Sequence, residues 1–254
     1  GTAAQKAERI AATMQAMDLV KDAGVAIARL VREADDSISA KIAFRKAKSV
    51  GDDSISFEID GNDIVLPVLR QQYVNAKGEC WSLADFVSPS SDYVGAFAVT
   101  IGERITQIVE SYKEKDEFKF LLYQSLADRL VEASAEYLHK VVREQYWGYD
   151  RTDLAVSDTL AEKYVGIRPA AGYPSLPDQS SVFVINEVLG GTKELGMQIT
   201  ENGALKPASS VMGLYISHAD SRYFILKKIC DDQRKRYAEQ KGISMEELER
   251  WLPK

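Results

Sequence analysis

Cysteine and histidine are scarce in this chain, with two of each among 254 residues. Cys80, Cys230, His139 and His218 are scattered without ligand spacing, so neither a metal site nor a disulfide framework is expected. No apolar run reaches the roughly 18 to 20 residues that a membrane-spanning helix needs. The opening GTAAQKAERI lacks the charged-then-apolar order of a secretory signal, and the chain is read as soluble and cytoplasmic. A formal net charge of −6 argues against nucleic acid or an anionic membrane as partner. Glycine-rich phosphate loops and dinucleotide fingerprints are missing too, so a nucleotide-like ligand would have to be held another way. No nucleophile sits beside a base: Ser217 and His218 are neighbours, and neighbours in a strand face opposite ways. No catalytic residue is assigned.

What is present is a mixture of helical and strand patterns. Apolar residues every three or four positions predict a helix from Ala3 to about Glu33, with Gly24 bending or interrupting it. SISFEID and DIVLPVL flank a Gly61-Asn62 turn and read as a hairpin, and DYVGAFAVTIG is apolar enough for the middle of a sheet. From Asp116 to Tyr146 an apolar stripe unbroken by glycine or proline predicts a helix of about 30 residues, or about 45 Å, stopped at Gly148. DTLAEKYV reads as a short acidic helix, GMQITEN as a strand, and VMGLYIS and RYFILKK as a second hairpin around HADS. The basic DDQRKRYAEQKG and the closing SMEELERWL, with Ser244 and Glu247 spaced as a capping box, read as helices. Strand pairs joined by short turns, with no βαβ rhythm, make this an α+β chain with a mainly antiparallel sheet and flanking helices, one of them long and central.

Two features carry chemistry. Residues 166–178, GIRPAAGYPSLPD, hold three of the seven prolines of the chain. Each proline fixes its own φ and biases the residue before it, so the stretch is a stiff loop that presets Arg168, whose planar fork suits a carboxylate. Gly172 would let backbone approach a ligand, and Tyr173 could stack on a ring; the alternative is a plain structural crossover. On the long helix Asp128, Glu132 and Glu136 are spaced by four and share a face. That face is either solvated or lines a cleft for a cationic group such as an ammonium or sulfonium. Lys227, Lys228, Arg234, Lys235 and Arg236 form a basic stretch that reads as a solvated helix face or as a dock for an acidic protein.

The loop resembles the Arg-Pro-Ala-x-Gly-Tyr-Pro segment of the C-terminal activation (reactivation) domain of cobalamin-dependent methionine synthase. VGDDSI, LRQQ, LADFVSP, ADRLVEASAEYLH, REQYWGY, GMQITEN, SHADSRYF and KGISMEELERWL agree in the same order. The resemblance runs over nearly the whole chain from about residue 49, and implies a single activation domain over 1–254 in which 1–48 are a more weakly matched lead-in. It implies a curved sheet and a shallow groove for S-adenosylmethionine, held by Arg168 on the methionine carboxylate, by Ala170, Gly172 and Tyr173 along the wall, and by Tyr223, Phe224 and Glu132. Asp128 would face cobalamin, itself carried by a partner cobalamin-binding domain of the same enzyme. Flavodoxin or a related reductase would supply the electron for reductive remethylation of cob(II)alamin. A methyl sulfonium meeting so strong a nucleophile needs positioning, not acid–base help, which agrees with the missing dyad. Two departures stand out. The family's upstream Ile-Asp-Trp stretch, whose aspartate meets the ligand's amino group, has no counterpart here, and position 224 is Phe where some members carry Tyr. The missing aspartate motivates an alternative: a stand-alone module that docks on a corrinoid protein and binds S-adenosylmethionine weakly or not at all.

Overall fold

Period-two alternation explains the sheet. In β4 (Asp92–Thr100), Val94, Ala96 and Ala98 enter one core, while Phe97 and Val99 enter another on the opposite face. β1 (Ser39–Ser49) and β7 (Ser210–Tyr215) divide in the same way, Met212 and Leu214 to the first core and Val211 and Tyr215 to the second. The structure, a computed structural model, describes residues 21–33, 37–74 and 78–252. With β2 (Ser54–Ile59) and β3 (Asn62–Pro67), these strands form a five-stranded sheet in the order β3-β2-β1-β4-β7, antiparallel throughout. The expected α+β class with a mainly antiparallel sheet is what forms.

Each face is covered by helices. The first core takes Val182, Ile185, Val188 and Leu189 of α5 (Ser181–Leu189). The second takes α1 (residues 21–33) through Ala26 and Leu30, α2 (Gly102–Glu110) through Ile105, Ile108 and Val109, and the long α3 (Glu117–Val141). In α3 the buried positions Tyr123, Ala127, Val131, Ala135 and His139 recur every four residues, and the alanines bring the helix close to the sheet. Asp128, Glu132 and Glu136 follow one position later, so they flank the buried stripe along one border of the helix. A π-helical turn, Val142–Tyr146, extends α3 to the predicted end before Gly148, whose φ is 75°. A third, small core joins α6 (Asp231–Lys241) to α7 (Met245–Trp251) through Tyr237, Ala238 and Leu248.

Several sequence expectations need correction. α1 runs through Gly24 without a break, and the part of the predicted helix before residue 21 lies outside the described residues. SVFVINEVL, left without an assignment, is α5, closed by Gly190 at φ 74°. GMQITEN supplies only the two-residue β5 (Gln198–Ile199), paired with β6 (Leu205–Lys206). α2 had no sequence reading at all. DTLAEKYV is helical only in the segment α4 (Val156–Leu160), after which Glu162 turns to a φ of 54°. The largest miss is the second hairpin. RYFILKK is not a strand, because the place beside β7 is taken by the proline loop: Ile167 and Ile216 exchange backbone bonds of 2.9 and 3.0 Å, and Leu214 donates to the Pro169 carbonyl at 2.9 Å. Phe224 is tied instead to Ser175, whose hydroxyl donates to its carbonyl at 2.7 Å and accepts from its N–H at 3.1 Å.

The Ser244 half of the expected capping box forms, with its hydroxyl accepting from the Glu247 N–H at 3.1 Å. Ser244→Ala should therefore destabilise the protein by about 1 kcal/mol, read as a shifted midpoint in urea unfolding with an unchanged slope. A midpoint within error of wild type would show that the cap contributes nothing.

Candidate functional site

The loop between residues 166 and 178 is placed by close backbone approaches. At Gly213 a Cβ would lie 2.4 Å from the Pro169 carbonyl and 2.8 Å from the Ala170 Cα, so only glycine in β7 lets the loop lie against the strand. Gly166 has φ 87°, and a Cβ there would meet the Tyr149 hydroxyl at 2.6 Å. Gly172 has φ 84° and makes room for Gln179, whose Oε1 lies 2.4 Å from the Cβ position. Its freedom serves that packing and a turn in which its N–H donates to the Leu176 carbonyl at 2.8 Å.

Between this loop, the α3 border and the 223–225 segment lies a cleft of about 540 Å³. Arg168, Ala170, Tyr173, Tyr223, Phe224 and Glu132, all singled out from the sequence, line it. Gly172 does not. Asp128 faces an adjoining pocket of about 430 Å³ that shares Glu132 and Tyr173 with the cleft, and its carboxylate accepts from the hydroxyl of Ser209 at 2.6 Å and from Gln124 at 2.9 Å. Phe224 is almost wholly buried and meets Trp81 edge-on at 6.4 Å, so its ring is a floor. Leu160, Pro169, Pro174 and Ile225 add apolar wall.

Among the described residues, Arg168 is the only cation lining this cleft, against the carboxylates of Glu132, Glu136 and Glu162. Its Nε donates to Glu136 Oε2 at 3.0 Å, while Nη1 comes only to 3.7 Å from Glu132 Oε2. Tyr173 donates its hydroxyl to the other Glu132 oxygen, and so spans the cleft from loop to helix. Burial works to lower the Arg168 pKa, but Tyr223, Glu136 and Glu132 outweigh it and hold the guanidinium firmly charged. Burial, then the Glu132 charge, pushes the Tyr173 phenol up to about 12. Glu162 is raised by burial and by the Glu136 charge. The remaining Glu136 oxygen, Oε1, is buried and has no hydrogen-bond partner. An unpartnered carboxylate oxygen in a cleft where negative charge is in excess calls for a cationic donor.

Sequence reasoning placed Glu136 on the right helix face without naming it as a site residue, and it passed over Glu162 and Tyr164. The i, i+4 spacing was signal enough for Glu136. Glu162 reaches the cleft through a backbone conformation that nothing in DTLAEKYV announces. Elsewhere, the basic stretch is partly committed within the chain, Arg236 to Asp53 at 2.7 Å and Lys227 over the Tyr73 ring at 5.1 Å. No group of three or more His, Cys, Asp or Glu placed to hold a metal occurs among the described residues. Nor is any described helix long and apolar enough to cross a membrane. The arrangement can hold a molecule that carries a carboxylate, one or two positive charges and a ring.

The chain is similar to known proteins over most of its length. Residues 3–242 match the family described as vitamin B12 dependent methionine synthase, activation domain. Among solved structures, the MetH reactivation domain bound to AdoHcy is 38% identical with a TM-score of 0.82, the match covering 94% of this chain and 76% of that one.

Proposed function

This chain belongs to the vitamin B12 dependent methionine synthase activation-domain family, and from that membership we propose that it binds S-adenosylmethionine in the Arg168 cleft. The observation that carries the reading is the unpartnered Glu136 Oε1 beside Arg168, in a cleft with one cation and three carboxylates. Such a lining suits a ligand with a net positive charge and a single carboxylate. S-adenosylmethionine would supply an electrophilic methyl on its sulfonium. Arg168, oriented through its Nε by Glu136, offers its terminal nitrogens to the amino-acid carboxylate. Glu136 and Glu132 receive the ammonium side, which gives the amino group two acceptors within these residues. Tyr173 and the apolar wall of Pro169, Pro174 and Phe224 pack the nucleoside and keep water from the charged groups, where low dielectric strengthens each pairing. The backbone of Ala170 and Gly172 shapes the wall.

Because a methyl sulfonium needs only a strong nucleophile brought into line, the task of these residues is to bind and orient. The methyl would be presented to a cobalamin held by a separate domain of methionine synthase, with Asp128 on the side facing it, for reductive remethylation with an electron from flavodoxin or a related reductase. The domain would work in the cytoplasm as one part of that methyltransferase.

Isothermal titration of this chain with S-adenosylmethionine tests the reading, with saturable binding expected at one site per chain. Glu136→Gln, which keeps shape and loses charge, should weaken binding about 10- to 100-fold, as for a hydrogen bond to a charged group. No binding to the wild-type chain would overturn the assignment in favour of a module that docks without a ligand. Unchanged affinity in the variant would remove Glu136 from the site.

A further inference from the structure

The Tyr223 side chain lines the cleft and could be taken for a ligand contact, but its hydroxyl is already engaged. It accepts the backbone N–H of Arg168 at 2.9 Å. The need for that partner follows from the loop's alternation. Ile167 donates to and accepts from Ile216, and Pro169 accepts from Leu214, so both face β7. Arg168, between them, turns its N–H away from the strand, where no sheet partner exists. A backbone donor left unpaired there would be costly, and Tyr223 satisfies it.

The phenol is itself held from behind. The Tyr164 hydroxyl interacts with that of Tyr223. The Arg143 guanidinium lies 4.3 Å from the Tyr164 ring centre, and His139 meets the same ring edge-on at 5.0 Å. Asp150, paired with Arg143 at 3.4 Å, takes the N–H of Val165 at 2.9 Å. Residues 164–168 are therefore gripped from three sides by groups from α3, the turn after it and the 223 segment.

Resting on the S-adenosylmethionine reading, we propose that Tyr223 is a positioning residue: its hydroxyl fixes the main chain of Arg168, and through it the guanidinium that receives the ligand's carboxylate. The carboxylate dependence of binding separates this from direct contact. A phenol that touches the nucleoside serves all adenosyl sulfonium ligands alike. One that acts through Arg168 serves only those with a carboxylate.

The experiment compares the wild-type chain with Tyr223→Phe, and with Tyr164→Phe as a second variant, each losing one oxygen and keeping its ring. Titration is run with S-adenosylmethionine and with its decarboxylated form, which keeps sulfonium, amine and nucleoside. Tyr223→Phe should bind S-adenosylmethionine about 5- to 10-fold more weakly and change by less than about twofold towards the decarboxylated form, with a smaller loss of the same pattern in Tyr164→Phe. Equal losses for both ligands, or none in Tyr223→Phe, would overturn the positioning role while leaving the function intact. If wild type binds neither ligand, the functional reading falls and this inference with it.

Discussion

Arg168→Ala will lower the affinity for S-adenosylmethionine at least about 100-fold, while costing the fold no more than about 1–2 kcal/mol. The first figure follows from two simultaneous losses. A charge-assisted, two-pronged bond to the carboxylate disappears, worth about 1.5–3 kcal/mol. The ligand's carboxylate is then left among Glu132, Glu136 and Glu162 with no cation between them. The second figure is small because removing Arg168 relieves its own desolvation, and Glu132 and Glu136, at 28% and 23% side-chain exposure, can still reach water. Titration gives the affinity and urea unfolding the stability. A variant that binds within a factor of three of wild type would mean that the carboxylate lies elsewhere.

A change 25 residues earlier has the opposite profile. Arg143→Met should destabilise the protein by about 3–5 kcal/mol, because it leaves the Asp150 carboxylate buried without its counter-charge. Both side chains are almost wholly inaccessible, at 1% and 5% exposure. The double variant Arg143→Met, Asp150→Asn should recover most of the loss, since a buried pair removed whole leaves no orphan charge. Burial works to raise the Asp150 pKa, yet the N–H groups of Val165 and Thr152 and the Arg143 charge bring it below the ordinary aspartate range. A carboxyl whose pKa is depressed on folding stabilises the protein fully above the pKa of the unfolded chain, and that contribution is lost as pH falls through the folded value. The acid limb of the stability curve should thus be shallower in Asp150→Asn. A single-variant loss below about 1 kcal/mol, or no recovery in the double variant, would show that the pair does not carry this weight.

How much of this was legible in the sequence depends on the range of the interactions involved. α3 was readable because its determinants are local, an apolar stripe at helical spacing and Gly148 as stop, and the structure adds Asp116 as its cap. The proline loop was legible as a stiff segment that presets Arg168, because that arginine stands alone among prolines. Its course was not. VMGLYIS and RYFILKK look like consecutive strands, and only Gly213, by letting Pro169 and Ala170 lie against β7, decides that a loop more than 40 residues upstream of it takes the place instead. The pairing of Arg168 with Glu136 was hidden for the same reason. Its two halves lie 32 residues apart and meet only once the loop is docked. Asp128 shows the limit of face arguments. It shares the border of Glu132 and Glu136, but a helix drifts along its length, and four residues earlier that border looks onto Ser209 rather than the main cleft.

The docking of residues 167–171 on β7 also covers an edge of the sheet. β7 is the last strand of the sheet, and a terminal strand with bare N–H and carbonyl groups is a template on which another chain can pair and begin to aggregate. Here Ile167, Pro169 and Ala171 take up those groups at Ile216, Leu214 and Met212, and on the loop's outer side the Arg168 N–H is already given to the Tyr223 hydroxyl and the Ala170 carbonyl to the Tyr173 N–H, which leaves a further strand less to bond to. The same short stretch that forms the wall of the cleft therefore seals the sheet. A substitution that frees this loop from β7 would therefore bare a sheet edge as well as disturb the cleft wall.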